Sequence, residues 1–364
     1  MIQRALIFDS LQKIVTTIPQ KTNAKDKEKP KDNRGTYVFT WGAGYAGQLG
    51  RKFIRGQKKY SALPLPIDLD DVVKKTGVAI RQVSCGGLHT AVVTENGQVY
   101  TWGDGRKGEL GHIHDPSLKQ TPRLVENLEN VFIKQVACGR GHTVALTDTG
   151  KVYSWGWGKF GQTGHGHRST LKTPKQIDHA LVKDITTLAC GNKHTMLVNK
   201  AGQVISFGCN EHGQTGHPQT SNHTGRGQSN DCIIHPTLVE ALQNEGVVAA
   251  SVACGAIHTC IVTQDGDVYL CGFGEHMHPS RSQHFNYTPT KLTLPEPVLQ
   301  VACGQAHNVA LTQSGNVYSW GAGDYGQIGH GIRGNTAIPK LVLDKGDISQ
   351  VAAGRYHSFA LSNA

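Results

Sequence analysis

Residues 138–143 read Cys-Gly-Arg-Gly-His-Thr, and the same phrase recurs along the chain. A Cys-Gly pair, or Ala353-Gly in the last copy, is followed by two variable residues and then a histidine. The six histidines are spaced 53, 52, 64, 49 and 50 residues apart: His89, His142, His194, His258, His307 and His357. Self-similarity at such a period is typical of a solenoid or a propeller. The sequence therefore predicts six copies of one structural unit of about 50 residues.

A second phrase follows each of the first five histidines at a fixed distance. An apolar stretch leads to a glycine turn, and then to a strand that ends on a large side chain before Gly, as at Trp102, Trp155 and Trp320. Apolar and β-branched residues on both sides of a glycine turn indicate a β-hairpin. A proline recurs about 19 residues further on, where another strand is expected to begin. Each unit thus offers about four short strands, and such sheets bury both faces when they pack radially as propeller blades.

The two ends of the repeat region complement each other. The chain ends at Ala364, soon after His357, where every other unit continues into its Trp-Gly strand. The missing strand is present near the N-terminus, at Trp41-Gly42, and it is followed by the usual Gly-Gln-Leu-Gly turn. Pairing of this strand with the last unit would remove two exposed sheet edges. We therefore expect an all-β propeller of six four-stranded blades, closed by the N-terminal strand, over residues 35–364.

These two phrases together resemble the RCC1 (regulator of chromosome condensation) propeller family, from about residue 36 to the C-terminus. The resemblance implies a toroid whose loops bind protein partners, and seven blades are the norm in this family. It also implies guanine-nucleotide exchange on a Ran-like small GTPase, which the nuclear member performs with a hairpin inserted from one blade. The comparable insertions here are residues 51–63 and 217–233, and the second has the polar, non-alternating composition of a loop.

Composition excludes several classes of protein. The 364 residues carry a formal net charge of +10, and no apolar run approaches the 18 or so residues that cross a bilayer. The nine cysteines contain no Cys-x-x-Cys pair, and the glycine turns are not followed by Gly-Lys-Ser/Thr. We expect an intracellular protein without enzymatic activity, cofactor or metal. The cytoplasm, including the cytoskeleton, is the favoured location, and the nucleus and the mitochondrion are the alternatives.

The repeated residues themselves have a structural interpretation. The histidines occur once per blade, so they are expected to lie too far apart around the ring to share an ion. Each is instead expected to be buried and to bond a neighbour's backbone. The repeated cysteine is expected to be a small buried filler. Trp41, Trp102, Trp155 and Trp320 are expected to pack between blades. His276, His278 and His284 have a loosely metal-like spacing but lack a cysteine or carboxylate partner, and no metal site is predicted there.

Two insertions, residues 51–60 and 217–233, and one altered turn, residues 275–284, are the candidate contacts with partners, because loops on a rigid scaffold commonly carry binding. The first interleaves cations with aromatic residues, a pattern that suits phosphate contacts and base stacking, at Arg51, Lys52, Phe53, Arg55, Lys58, Lys59 and Tyr60. The second is the polar insertion that contains Arg226. The third is an altered turn that has lost its Gly-Gln-x-Gly sequence, at Glu275, His276, Met277 and His278.

Residues 1–34 form a separate module. Ile7, Leu11, Ile14 and Ile18 fall at helical spacing and predict a short amphipathic helix, which Pro19 ends before a charged linker. A docking helix for a partner, a mitochondrial presequence and a flexible basic tail remain the alternatives for this module.

For the whole chain the leading hypothesis is a non-catalytic scaffold or adaptor that binds protein partners within a larger assembly. An exchange factor for a Ran-like small GTPase is the alternative, and binding of chromatin or RNA through the basic insertion is the third hypothesis.

Overall fold

The computed structural model describes residues 39–43, 45–50, 60–66, 78–112, 119–218, 231–274, 285–344 and 346–362. Within these residues the chain is almost entirely β-sheet. A single turn of 3-10 helix at Glu126–Leu128 and a short helix, α1, at Glu240–Asn244 are the helical elements of this part of the chain.

Five antiparallel sheets of four strands follow one another, and each is a blade. Blade 1 contains β3 (Ile80–Cys85), β4 (His89–Thr94), β5 (Val99–Gly103) and β6 (Lys119–Leu124). Blade 2 contains β7 (Ile133–Cys138), β8 (His142–Thr147), β9 (Val152–Gly156) and β10 (Leu171–Gln176). Blade 3 contains β11 (Ile185–Cys190), β12 (His194–Asn199), β13 (Val204–Cys209) and β14 (Cys232–Leu238). Blade 4 contains β15 (Ala249–Cys254), β16 (His258–Thr263), β17 (Val268–Phe273) and β18 (Phe285–Leu292). Blade 5 contains β19 (Val298–Cys303), β20 (His307–Thr312), β21 (Val317–Gly321) and β22 (Thr336–Leu343).

Two further antiparallel sheets have two strands each. The N-terminal half-blade pairs β1 (Phe39–Ala43) with β2 (Tyr60–Pro66), and the C-terminal half-blade pairs β23 (Ile348–Ala353) with β24 (Ser358–Ser362). The C-terminal half-blade repeats the register of the first two strands of every blade, including the irregularity after its first residue. The expected all-β architecture of four-stranded antiparallel blades is confirmed.

The order of the strands in each blade determines which strands lie at the centre of the array and which lie at its edge. The first strand of each blade contacts the first strand of the next, so these strands lie at the centre of the array. The proline strands β6, β10, β14, β18 and β22 each pair with one neighbour only, which suits a residue without an N–H donor. Apolar side chains of adjacent blades form shared clusters, as where Trp155 of blade 2 packs against Ala91, Val93 and Val99 of blade 1.

Candidate interaction surface

A chain of hydrogen bonds joins each blade to the next. The Oγ1 of Thr143 in blade 2 donates to the carbonyl oxygen of Glu109 in blade 1 at 2.8 Å. With its proton used in that bond, Thr143 accepts from the Nε2–H of His89, 2.9 Å away. Three residues from two blades therefore hold the turn of blade 1 against the second strand of blade 2.

The histidine bond recurs at the next four boundaries, each time between a repeated histidine and the residue that follows the next repeated histidine, and the onward bond from a hydroxyl to a carbonyl is present at all of them except the boundary at Asn308. Its pairs are His142 with Thr195, His194 with Thr259, His258 with Asn308 and His307 with Ser358, all at 3.0–3.1 Å. The expectation that the histidines bond a neighbour's backbone was therefore wrong. Their partners are side chains, because each imidazole reaches the residue that follows the repeated histidine of the next blade. Where that residue has a hydroxyl, the hydroxyl donates in turn to a backbone carbonyl.

Burial lowers the pKa of four imidazoles of this relay and so keeps them neutral: His89, His142, His194 and His307. Loss of hydration, with a smaller contribution from the neighbouring histidines, lowers the pKa of His142 and of His194 to about 3. The Nδ1 atoms of five repeated histidines are buried and have no hydrogen-bond partner, which fits a neutral ring with its proton on Nε2. The sixth, His357, is exposed at the surface of the C-terminal half-blade.

The repeated cysteines are less uniform than predicted. Cys138 is buried, but Cys190, Cys254 and Cys303 are half-buried and Cys85 is exposed. Cys190, Cys254 and Cys303 still pack against the apolar clusters of the blade boundaries, as a filler would. The expectation of a buried filler was wrong at Cys85. Trp102, Trp155 and Trp320 are fully buried between blades. The side chain of Trp41 lies outside the described residues.

The described glycine turns that follow the third strand of a blade, or β1, have a buried or half-buried polar side chain at their centre. In blade 2 the Oε1 of Gln162 accepts from the N–H of Phe160 at 2.9 Å, and Gln48, Gln214 and Gln327 make the same bond in their turns. Blade 1 has Glu109 at this position, and its Oε2 accepts from the N–H of Lys107 at 2.7 Å. Burial raises the pKa of Glu109 to about 7, although the backbone N–H groups oppose this effect.

The turns so fixed in blades 1 and 2, together with the β11–β12 loop of blade 3, bring four residues close to one another at one end of the sheets. Lys107 Nζ lies 4.0 Å from the centroid of the Trp157 ring, and Lys193 Nζ lies 4.1 Å from that of Phe160. The two aromatic rings meet edge to face with centroids 5.1 Å apart. We call Lys107, Trp157, Phe160 and Lys193 the cation–aromatic surface. All four side chains are half-buried, so each keeps an accessible part.

Positive charge dominates the surroundings of this surface. Arg140 and Lys159 are exposed beside it, and no ion pair is recorded for either within the described residues. Lys193 pairs with Glu211 at 3.8 Å, and the buried carboxylate of Asp104 is compensated by Arg106 at 2.6 Å. Aromatic faces with unpaired cations around them suit an acidic partner with apolar or aromatic side chains.

The contacts predicted from the sequence fall elsewhere. Residues 1–34, residues 51–59, Arg226 and residues 275–278 lie outside the described residues, and of Tyr60 only the backbone, in β2, is described. These candidates therefore remain predictions. Sequence reasoning missed the cation–aromatic surface. Its one available signal was the pair of aromatic residues in the turn of residues 156–161, next to Lys159.

Comparison with known proteins gives a consistent set of relatives. A family model described as an RCC1-like domain matches residues 37–364. The ultraviolet-B receptor UVR8 of Arabidopsis thaliana is 32% identical over 241 residues, which are 66% of this chain and 50% of the relative. Human E3 ubiquitin-protein ligase HERC2 is 32% identical over 71% of this chain and 5% of its own length. Mouse protein RCC2 is 38% identical over 55% of this chain and 41% of its own length. The aligned regions thus cover half or less of these relatives.

Solved structures agree on the fold. The crystal structure of human WBSCR16 matches with a TM-score of 0.76 and 25% identity, covering 90% of this chain and 81% of that one. Prp20p from Saccharomyces cerevisiae, described with its binding to Gsp1p and histones, matches with a TM-score of 0.74 and 27% identity, covering 90% of this chain and 79% of that one. A search of the described residues for a helix long and apolar enough to cross a bilayer found none.

Proposed function

The chain belongs to the RCC1-like domain family, and from this premise we propose that it is a non-catalytic platform that binds an acidic protein partner through the cation–aromatic surface. The observation that carries the proposal is the convergence of Lys107, Trp157 and Lys193 from three successive blades. Half-buried aromatic residues with cations stacked on them are the side chains that dominate binding at interfaces.

The rigidity of the blades supports this role. The relay of buried histidines and hydroxyls fixes the turns through polar groups of the blade boundaries. The surfaces of these turns therefore remain available to bind a partner. Protein binding also occurs among similar structures. Prp20p is described with binding to Gsp1p and histones, and yeast RCC1 (Prp20) has been crystallised bound to Kap60.

Affinity purification of the full chain tests the platform hypothesis. We expect a stable set of partners that Trp157→Ala and Lys107→Glu each weaken at least about 10-fold, since central aromatic and cationic contacts contribute about 2 kcal/mol or more. Lys151→Glu is the matched control, because Lys151 is an exposed cation at the opposite end of the β8–β9 hairpin. Thermal unfolding of all three variants verifies that the fold is kept. Equal loss in the control and the two surface variants, or no loss in either surface variant, would contradict the proposal.

Guanine-nucleotide exchange on a Ran-like small GTPase is the alternative, and the similarity to Prp20p favours it. Catalytic amounts of the chain should then accelerate GDP release from its GTPase, and the GTPase should be captured when nucleotide is stripped with EDTA and released when GTP is added. A partner set that is indifferent to nucleotide would speak for the platform. For chromatin or RNA binding through residues 51–60, alanine replacement of the five cations should flatten the salt dependence of binding.

We further propose that the N-terminal half-blade completes the C-terminal one as a sixth blade. A cavity of about 370 Å³ lies beside the C-terminal half-blade and is lined by Val309, Val317, Ser319 and Leu343 of blade 5. One blade earlier, the residues at the same four positions pack against Trp320: Cys260, Val268, Leu270 and Leu292. The cavity therefore has the surroundings of a blade tryptophan, which supports Trp41 as its occupant.

An engineered cross-link tests this closure. By analogy with the β4–β5 register, in which Ala91 lies opposite Thr101, Phe359 should lie opposite Thr40. A Thr40→Cys, Phe359→Cys variant should form an intramolecular disulfide under mild oxidation, whereas Thr40→Cys with Ser362→Cys should not. Absence of the cross-link in the first variant would refute closure by this strand.

A further inference from the structure

One boundary between blades departs twice from the repeat. The residue two positions after the repeated histidine is a thiol only at Cys260, and elsewhere it is Ala91, Val144, Met196, Val309 or Phe359. The residue that receives the histidine's bond is a hydroxyl everywhere except at Asn308. The two departures are 48 residues apart in sequence, yet Cys260 Sγ lies 3.2 Å from Asn308 Oδ1.

Three metal-ligating side chains meet at this point. His258 and Cys260 of blade 4 and Cys303 of blade 5 bring one ligand atom each to within 4.8 Å of the others. His258 and Cys260 are buried, and Cys303 is half-buried. The amide oxygen of Asn308 adds a fourth donor, since its Oδ1 lies 3.0 Å from His258 Nε2. No other boundary among the described residues brings together such a set.

We propose that His258, Cys260 and Cys303 bind one Zn²⁺ ion across the boundary between blades 4 and 5, with Asn308 Oδ1 as the fourth donor. Two sulfurs, one imidazole nitrogen and one oxygen form a donor set that zinc accepts in tetrahedral geometry. Ligand atoms on such an ion lie roughly 3.3–3.8 Å apart, given bonds of about 2.0–2.3 Å. The observed separations require movements of at most about 1 Å, which side-chain rotation supplies.

Charge balance favours a divalent ion such as Zn²⁺ over a monovalent thiophilic ion. Binding of Zn²⁺ releases the two thiol protons, and the two thiolates then neutralise the ion. The amide stays neutral, and so does the imidazole, which would bind through Nε2 in the tautomer that carries its proton on Nδ1. A buried site that carries no net charge avoids the cost of placing a charge in a low-dielectric interior. Cu⁺ with the same two thiolates would leave one negative charge behind, so it is the competing ion that the test has to separate.

The repeat supplies substitutions that the fold already accepts. Cys260→Val introduces the residue found at the equivalent positions 144 and 309, and Cys303→Ala introduces the one found at position 353. Cys190→Ala makes the second change at another boundary and is the matched control. Asn308→Thr restores the usual partner of the histidine and removes the fourth donor, so it should weaken zinc binding by at least about 10-fold, the lower limit for loss of a group that only supports the ligands.

The experiment titrates the purified, reduced full-length chain with Zn²⁺ against a chromophoric chelator. We expect one equivalent to bind in the wild type and in Cys190→Ala, and none in Cys260→Val or Cys303→Ala. Co²⁺ should give thiolate charge-transfer bands in the wild type but not in Cys260→Val. Zinc should also slow the alkylation of the half-buried Cys303, but not that of the half-buried Cys190.

Equal binding by the wild type and Cys260→Val would overturn the proposal. So would stoichiometric uptake of Cu⁺ without uptake of Zn²⁺. These results are independent of partner capture, so this proposal and the platform hypothesis can fail separately.

Discussion

Replacement of Glu109 by glutamine should remove a pH-dependent part of the stability of blade 1. Glu109 occupies the position at which four other turns have glutamine, and its carboxylate is almost fully buried. Glutamine keeps the oxygen that accepts the N–H of Lys107, because Gln162 makes the equivalent bond to Phe160 at 2.9 Å. The substitution therefore changes the charge at this site while it preserves the turn.

The magnitude follows from the raised pKa. Burial raises the pKa of Glu109 from 4.5 to about 7, so the folded chain holds this proton more tightly than the unfolded chain. A group with a raised folded pKa contributes stability that is present at low pH and is lost as the pH rises through the folded value. Integration from pH 5 to pH 8 gives a loss of about 2.5 kcal/mol in the wild type, which Glu109→Gln should not show.

Urea unfolding of both proteins at pH 5, 6, 7 and 8 measures this difference. The other titrating groups are common to both chains, so the difference between the two free energies of unfolding isolates Glu109. The reciprocal variant, Gln162→Glu, places a carboxyl at the same position in blade 2 and should acquire a pH dependence of the same sign.

A constant difference between wild type and Glu109→Gln across this pH range would refute the reasoning, because the carboxyl would then have its ordinary pKa in the folded protein. Greater stability of the wild type at pH 8 would refute it as well, since a buried unpaired carboxylate would not be the destabilising species.

Three further predictions concern the blade boundaries and turns. Trp155→Phe should lower the free energy of unfolding by about 1 kcal/mol more than Trp320→Phe. The Trp155 indole donates to a carbonyl at 2.9 Å, whereas the buried Trp320 Nε1 has no partner among the described residues. Equal losses in urea unfolding would contradict this prediction. Burial lowers the pKa of His142 to about 3, so its contribution to the free energy of unfolding should fall by about 2 kcal/mol from pH 7 to pH 5. His142→Ala should therefore reduce the decrease of the urea midpoint between pH 7 and pH 5, and an unchanged decrease would contradict this prediction. Gly161→Ala should lower the melting temperature more than Gly331→Ala. Both glycines have φ of +76°, but only at Gly161 would a Cβ meet backbone, at 2.8 Å from the Cα of another residue. Equal decreases would mean that the strain of the positive φ alone sets the effect.

The sequence alone was sufficient for the blade and for its family. A hairpin is a local structure, so turn glycines, strand residues and their 50-residue period predict it without knowledge of the rest of the chain. The resemblance to RCC1 propellers followed from the same phrases, and the RCC1-like domain match over residues 37–364 bears it out. The sequence also pointed to the N-terminal strand as the partner of the last unit, which remains a proposal.

Only the tertiary structure identified the contacts between blades. The imidazole of His89 meets Thr143, 54 residues away, and this pairing depends on how one sheet is stacked on the next. For the same reason the sequence suggested a backbone partner for the histidines and uniform burial of the cysteines, and both expectations needed correction. The cation–aromatic surface and the cluster of His258, Cys260 and Cys303 likewise join residues of different blades. Repeat periodicity determines what each blade is, whereas the packing angle and register between blades decide which side chains meet, and no local pattern encodes these two quantities.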